Sequence, residues 1–187
     1  MGVARLYSAA MRQSHSPPVS RPIVLVGLMG VGKSTVGRRL ANRLKLPFAD
    51  ADHEIEEAAG MTVTEIFDRF GEPYFRDGER RVIARLMDGR PKVIATGGGA
   101  FVNEGTRALI LEQALAIWLH ADTNVLAERV QRRDTRPLLR GRDPKTVLAE
   151  LAAKRDPVYA EAHIHVPSHK GPHETTVAAI LRAMAAP

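Results

Sequence analysis

The stretch Gly27-Leu28-Met29-Gly30-Val31-Gly32-Lys33-Ser34 matches the pattern G-x-x-x-x-G-K-[ST] at every fixed position. An apolar run over 23–26 precedes it, and residues 35–44 have the pattern of a helix. A strand, a glycine-rich loop and a helix in this order let backbone N–H groups and the helix N-terminus converge on phosphate oxygens. The stretch therefore predicts a P-loop in an α/β fold, and binding of a nucleoside triphosphate.

The side chains of this loop have separate expected roles. Lys33 would reach the β- and γ-phosphates and is a candidate catalytic residue, whereas Ser34 Oγ would bind Mg²⁺. The residues expected to contact the nucleotide are Gly30, Val31, Gly32, Lys33, Ser34 and Thr35. The motif thus predicts a nucleotide and a metal ion at one site.

The composition is that of an ordinary globular chain with a basic charge balance. Of 187 residues, 44% are hydrophobic and 26% charged, and no apolar run approaches the roughly 20 residues that span a bilayer. The sequence has no cysteine, which excludes disulfides and thiolate metal sites, so we expect a cytoplasmic protein without a membrane partner. The net charge of +6 fits either a nucleic acid or an anionic substrate with ATP. An aromatic content of 5% argues against a base-stacking surface, and we expect no nucleic-acid partner.

Residues 1–20 differ in composition from the rest of the chain. They contain four serines, two arginines and Pro17-Pro18, but no acidic residue. Such a segment is typical of a disordered N-terminal extension, with an organellar transit peptide as the alternative. Residues 21–187 are expected to form one domain.

Strand and helix patterns alternate through this domain. Strands are expected at 23–26, 46–50, 93–95, 116–119 and 164–166. Helices are expected at 33–44, 53–59, 73–87, 103–111, 122–132, 144–154 and 174–184, and a capping box over 62–65 begins a further helix that ends at Gly71. Strands separated by helices predict a three-layer α/β/α fold with a five-stranded parallel sheet.

Asp50 and Asp52 stand at the end of the second predicted strand. At a spacing of two on a strand both side chains point to one face, and ligands of open α/β sheets bind at the carboxyl ends of strands. Two carboxylates beside a triphosphate suit support of Mg²⁺ and an alcohol acceptor. The alternative is that Asp52 only caps the helix that begins at His53.

Three further features have weaker signals. Gly97-Gly98-Gly99 ends a strand, where glycine permits close backbone approach to a ligand, although a tight turn would also explain it. The segment 134–139 contains Arg136 and a proline, which suggests a mobile loop over phosphates or a solvated basic loop. Arg76 and Arg155 fall in helical patterns, and each taken alone is more typical of a surface arginine.

These pieces together resemble the shikimate kinase family. The motifs occur in the family's order as GLMGVGKST at 27–35, FADAD at 48–52, FRDGE at 75–79, GGGA at 97–100, RPLL at 136–139 and KRDPVY at 154–159. The resemblance runs from about residue 22 to about residue 183. It implies transfer of phosphate from ATP to the 3-hydroxyl of shikimate, giving shikimate 3-phosphate and ADP, in the synthesis of chorismate and aromatic amino acids.

The resemblance also implies an architecture and residue roles. It implies a P-loop kinase fold with a substrate-binding helical region at about 52–90 and a lid at about 133–143, and we expect a monomer. The implied roles are Asp52 at the acceptor hydroxyl, Asp50 and Ser34 at Mg²⁺, Arg76 and Arg155 on the shikimate carboxylate, the backbone of Gly97, Gly98 and Gly99 on the ring, Arg136 on the ATP phosphates, and Arg132 near adenine.

Two other functions fit part of the pattern. Gluconate kinase shares the expected fold, and gluconate is also a hydroxylated carboxylate, so charge alone does not separate the two substrates. A non-catalytic, nucleotide-dependent module that binds nucleic acid would fit the basic charge. Intact Lys33, Ser34, Asp50 and Asp52 argue against such a degenerate site.

Overall fold

The structure, a computed structural model, describes residues 19–131, 139 and 141–186. Its sheet contains the strands β1 (Ile23–Val26), β2 (Phe48–Asp50), β3 (Val93–Ala95), β4 (Leu115–His120) and β5 (Ile164–Pro167). All pairings are parallel and the strand order is β2-β3-β1-β4-β5. The predicted five-stranded parallel sheet is confirmed.

Helices cover both faces of this sheet. The described residues form α1 (Lys33–Leu44), α2 (Ala51–Ala59), α3 (Val63–Leu86), α4 (Glu104–Gln113), α5 (Thr123–Val130), α6 (Pro144–Tyr159) and α7 (His173–Ala185), with a short 3₁₀ turn at Ala100–Val102. All four residues of β1 are fully buried, as expected for a strand that is covered on both faces. Because β1 is central, the loop that follows it opens between the carboxyl ends of β3 and β4.

Capping and a kink shape the long helix α3. Thr62 accepts a hydrogen bond from the Glu65 N–H, and the Glu65 carboxylate accepts one from the Thr62 N–H, so the predicted capping box is present. Gly71 has φ 79° and ψ 173°, which breaks the helical geometry at the residue where the sequence predicts a boundary. Pro73 follows this break, so it begins a new helical segment rather than disrupting one.

Helix α6 runs further than its predicted end at Lys154. It continues to Tyr159 although Pro157 lies inside it. The proline removes one backbone donor, but Ala160 N–H still donates to Asp156 O and the buried Tyr159 anchors the last turn. Arg155 and Tyr159 therefore stand one turn apart on one helix.

Several predictions fall on residues that the structure does not describe. Most of the N-terminal segment 1–20 and most of the predicted lid at 133–143 lie there, as do Arg132 and Arg136. Their assignments stay predictions. Among the described helices, none has the length and apolar character needed to cross a bilayer.

Candidate active site

A crevice of about 1230 Å³ opens at the carboxyl ends of β1, β2 and β3. Its walls come from the P-loop, the start of α2, helix α3, the glycine loop 97–99, helices α5 and α6, and the segment before α7. The predicted residues that line it are Gly30, Gly32, Lys33, Ser34, Thr35, Asp50, Asp52, Arg76, Gly97, Gly98, Gly99 and Arg155. Residues far apart in sequence thus share one cavity, whereas Val31 is fully buried and does not line it.

The P-loop wraps tightly around the start of α1. Gly32 has φ 101° and directly precedes the helix, and Gly30 has φ 80°. A Cβ at Gly30 would lie only 2.8 Å from Cγ1 of Val130, so the loop also packs closely on α5. This local geometry explains the glycines of the motif.

Lys33 is buried within its own loop. Its Nζ donates hydrogen bonds to Gly27 O at 2.7 Å and to Leu28 O at 2.9 Å. These carbonyls hold the ammonium group at the mouth of the P-loop. A phosphate oxygen arriving there would meet a charge that is already positioned.

The two aspartates are placed differently from the sequence prediction. Asp50 ends β2 and is the N-cap of α2, because its Oδ1 accepts from the Asp52 N–H at 3.2 Å. Asp52 lies in the first turn of α2 and does not cap it, so the capping alternative is wrong for Asp52. The helix begins at Ala51, two residues earlier than predicted, so the alternation of a strand does not apply. Both carboxylates nevertheless line the crevice.

An ion pair between the half-buried Arg76 and the buried Glu79 lines the crevice. Arg76 donates from Nη1 to Glu79 Oε2 at 2.8 Å and from Nη2 to Glu72 Oε1 at 2.9 Å. The Glu79 side chain is 2% exposed, and within the described part of the chain its Oε1 has no hydrogen-bond partner. Sequence reasoning missed Glu79, although it stands in the FRDGE motif at the i+3 position from Arg76.

Burial raises the pKa of Glu79 above the ordinary range of a glutamate. The ion pair with Arg76 opposes this rise, the nearby charge of Asp52 adds to it, and Arg155 opposes it again. Because the desolvation cost prevails, the site holds a carboxyl group with raised proton affinity beside Asp52.

The glycine loop is where these side chains converge. A Cβ at Gly97 would lie 2.5 Å from Glu79 Oε1 and 2.8 Å from Asp52 Oδ1, and a Cβ at Gly99 would lie 2.5 Å from the Arg76 Cζ. Any larger residue would displace the charged groups. Glycine at positions 97 and 99 therefore leaves room for the close approach of charged side chains, which a simple tight turn would not demand.

Helix α6 contacts the same loop from the other side. Arg155 Nη1 donates to Gly98 O at 2.9 Å, and the hydroxyl of Tyr159 donates to the same carbonyl. Arg155 is thus part of the crevice and not merely a surface residue. Sequence reasoning missed Tyr159, which is fully buried.

The opposite end of the crevice joins the P-loop to the segment before α7. Arg129 donates to His169 O at 2.7 Å and to Gly30 O at 3.4 Å, and Ser168 Oγ donates to Val31 O at 3.1 Å. Arg129 is thus an arginine that the structure places at this end, while Arg132, expected near adenine, lies outside the described residues.

His173 completes this end of the crevice. A Cβ at Gly32 would lie 3.3 Å from Cε1 of the His173 ring. Burial lowers the pKa of His173, and the charges of Arg129 and Arg39 lower it further. The ring therefore favours its neutral form beside the P-loop.

Comparisons with known proteins agree with this geometry. A family model described as shikimate kinase matches residues 29–185. The chain is 63% identical over 169 residues to a shikimate kinase of Caulobacter vibrioides, covering 90% of this chain and 84% of that protein. It is 59% identical over 174 residues to one of Zymomonas mobilis, covering 93% and 99%.

Solved structures show the same likeness. A shikimate kinase of Acinetobacter baumannii in complex with shikimate superposes with a TM-score of 0.86 at 37% identity, covering 88% of this chain and 93% of that one. A gluconokinase of Sinorhizobium meliloti reaches a TM-score of 0.59 at 23% identity over 90% and 94% of the two chains, a likeness of fold alone.

Proposed function

The chain belongs to the shikimate kinase family, and we propose that its crevice holds ATP on the P-loop side and shikimate on the side of Asp52, Arg76 and Arg155. Members of this family transfer the γ-phosphoryl group of ATP to the 3-hydroxyl of shikimate, which gives shikimate 3-phosphate and ADP. This chain is accordingly a phosphotransferase with an alcohol acceptor, in the synthesis of aromatic amino acids.

The observation that carries the assignment of residues is the charged cluster around the glycine loop. Two guanidinium groups flank this loop, Arg76 at Gly99 and Arg155 at Gly98, and Asp52 reaches it at Gly97. Paired arginines suit a planar carboxylate, which they can bind through two parallel hydrogen bonds. A carboxylate such as Asp52 suits a hydroxyl group. The cluster therefore fits a small hydroxylated acid rather than a nucleobase.

Phosphoryl transfer needs positioning and charge stabilisation more than covalent chemistry. In the proposed mechanism the acceptor oxygen forms a bond to the γ-phosphorus while the bond to the β–γ bridging oxygen breaks. Lys33 and the P-loop amides hold the phosphate charge, and Asp52 orients the hydroxyl and accepts its proton late. ADP leaves with the electron pair of the broken bond.

Ser34 and Asp50 are the residues that would hold Mg²⁺. Both line the crevice, and Mg²⁺ usually takes one or two protein oxygens and completes its shell with phosphate oxygens and water. When bound, the ion would neutralise charge on the β- and γ-phosphates. One oxygen of Asp50 already accepts the Asp52 N–H, which fixes its orientation.

The remaining assignments are proposals that rest on the resemblance. Arg136 would contact the ATP phosphates from the lid, and Arg132 would lie near adenine. Contacts to shikimate from the backbone of the glycine loop belong with these proposals, as do a monomeric state and a cytoplasmic location.

A coupled assay of ADP release tests the function. The purified protein with ATP and Mg²⁺ is given shikimate, gluconate or a nucleoside monophosphate at equal concentration, and a reaction without acceptor serves as the control. We expect ADP release above the control with shikimate only. Equal or greater turnover with gluconate would contradict the substrate assignment. No turnover, together with salt-dependent binding to duplex DNA, would favour the nucleic-acid module.

A further inference from the structure

Tyr159 is a buried hydroxyl group that the proposed mechanism does not use. Its ring neighbours Phe101 at a centroid distance of 6.4 Å and Trp118 at 6.0 Å, and none of its surface is exposed. Its hydroxyl donates to Gly98 O, the carbonyl that also accepts from Arg155. Two donors from successive turns of α6 thus meet on one carbonyl oxygen of the acceptor site.

This carbonyl belongs to a peptide that lies between the two arginines. On one side Arg155 bonds to Gly98 O, and on the other the Arg76 guanidinium lies against Gly99. A trans peptide directs its N–H opposite to its C=O. Since the carbonyl points to α6, the Gly99 N–H points away from α6. The orientation of one peptide plane therefore sets the direction of a backbone donor and the position of the carbonyl that binds Arg155.

We propose that Tyr159 is a positioning residue for the carboxylate end of the acceptor, because its hydroxyl holds the 98–99 peptide between Arg155 and Arg76. The proposal rests on the proposed function, which places the shikimate carboxylate on these arginines. Glycine has the freest backbone of all residues, so this peptide needs an external partner to keep one orientation. The two donors on Gly98 O supply that partner.

The surroundings of Tyr159 keep its hydroxyl a donor. Burial raises the pKa of Tyr159 to about 12, and Arg155 opposes this rise only in part. The phenol therefore stays protonated across the working range of pH. Packing against the rings of Phe101 and Trp118 restricts the tyrosine ring, which fixes the direction of its hydrogen bond.

Tyr159→Phe tests the proposal because it removes the hydroxyl and keeps the ring. Kinetic constants for shikimate and ATP are measured together with shikimate affinity by calorimetry and the melting temperature. The matched control is Tyr74→Phe, which makes the same chemical deletion at a tyrosine that is 51% exposed. We expect the shikimate KM to rise about fivefold to tenfold, as for loss of one hydrogen bond. The ATP KM, kcat and melting temperature should stay close to those of the control.

A second acceptor substrate distinguishes an effect of Tyr159 on carboxylate binding from a general effect on the structure of the site. In an analogue that carries a hydroxymethyl group in place of the carboxylate, the two arginines have no anion to bind. Tyr159→Phe should then leave the KM of the analogue unchanged. An equal loss with shikimate and the analogue would overturn the proposal, and so would unchanged shikimate kinetics or a parallel fall in kcat and melting temperature. A wild-type protein that does not phosphorylate shikimate would instead overturn the proposed function.

Discussion

The nucleotide side of the crevice is built mainly around one run of residues, 27–35, backed by α5 and the segment before α7, whereas the acceptor side draws on α2, α3, the glycine loop and α6. The nucleotide side is built mainly from backbone groups, and its buried lysine, Lys33, is held by carbonyls of the same loop. The acceptor side is built from charged side chains that reach one another across long separations in sequence.

The two sides also differ in the free energy that desolvation of their charged groups costs. Backbone N–H groups bind anions without burying a charge of their own. The acceptor side instead buries Glu79 and half-buries Arg76, and desolvation of such groups costs stability that their pairing recovers only in part. We therefore expect substitutions on the nucleotide side to affect turnover alone, and those on the acceptor side to affect substrate affinity and stability as well.

The largest effect is expected for Lys33→Ala on the nucleotide side. Removing the charge that we propose bridges the β- and γ-phosphates should lower kcat by about 10³-fold or more, at or beyond the upper end for loss of one stabilising donor. The measurement is steady-state ADP release, with Lys145→Ala on the exposed start of α6 as the control. Shikimate affinity by calorimetry should be unchanged, and a weakened affinity would show that the two sides are not separable.

Asp52→Asn should have the next largest effect, because it keeps the shape of the side chain and removes its charge and proton affinity. We expect kcat to fall by about 10²-fold, in the range for general-base and positioning residues. Asp50→Asn is the matched comparison, since asparagine also caps helices and α2 should stay intact. It should raise the Mg²⁺ concentration needed for half-maximal rate. A Mg²⁺ defect in both variants would mean that the acceptor site has been assigned to the wrong carboxylate.

Arg76→Ala and Arg155→Ala should each raise the shikimate KM by about 10- to 150-fold. This range corresponds to loss of one charge-assisted contact, roughly 1.5–3 kcal/mol. Binding remote from the transferred group is largely uniform, so kcat should change less than KM. Arg80→Ala, an exposed arginine on the same helix α3, is the control. An effect confined to the ATP KM would contradict the division of the crevice.

The smallest expected effect is a pH dependence of stability that Glu79→Gln removes. Because burial raises the pKa of Glu79, the folded protein binds its proton more tightly than the unfolded chain does. Its contribution to stability is complete below the ordinary glutamate pKa and is lost as the pH rises through the raised value. Melting temperatures from pH 4.5 to 7.5 should therefore fall more for the wild type than for Glu79→Gln. Parallel curves would show that the Arg76 ion pair offsets the burial fully.

The same contrast explains what the sequence could predict. A P-loop is contiguous, so its residues, its flanking strand and its helix follow from one motif and its neighbours. Arg76 and Arg155 taken alone are typical surface arginines, and they became candidates through the resemblance. Glu79 and Tyr159 stand inside motifs that the resemblance quotes, yet their burial is a tertiary property that periodicity does not reveal.

Errors arose where tertiary packing decides a boundary. The start of α2 is two residues earlier than predicted, which transfers the cap from Asp52 to Asp50. Helix α6 continues through Pro157 to Tyr159, five residues beyond its predicted end at Lys154, and the buried Tyr159 secures its last turn. The parallel sheet followed from alternating patterns, but its strand order depends on crossovers that local sequence does not encode.

Trp118 is the single tryptophan of the sequence, and its position between the two sides has an optical consequence. A Cβ at Gly27 would lie 3.3 Å from its Cδ1, so the indole lies close to the first residue of the P-loop, and its ring also neighbours Tyr159. Fluorescence excited at the indole therefore comes from one residue that lies beside both the P-loop and Tyr159, the tyrosine that donates to the glycine loop. The protein thus carries an intrinsic fluorophore that can report occupancy of either half without a label.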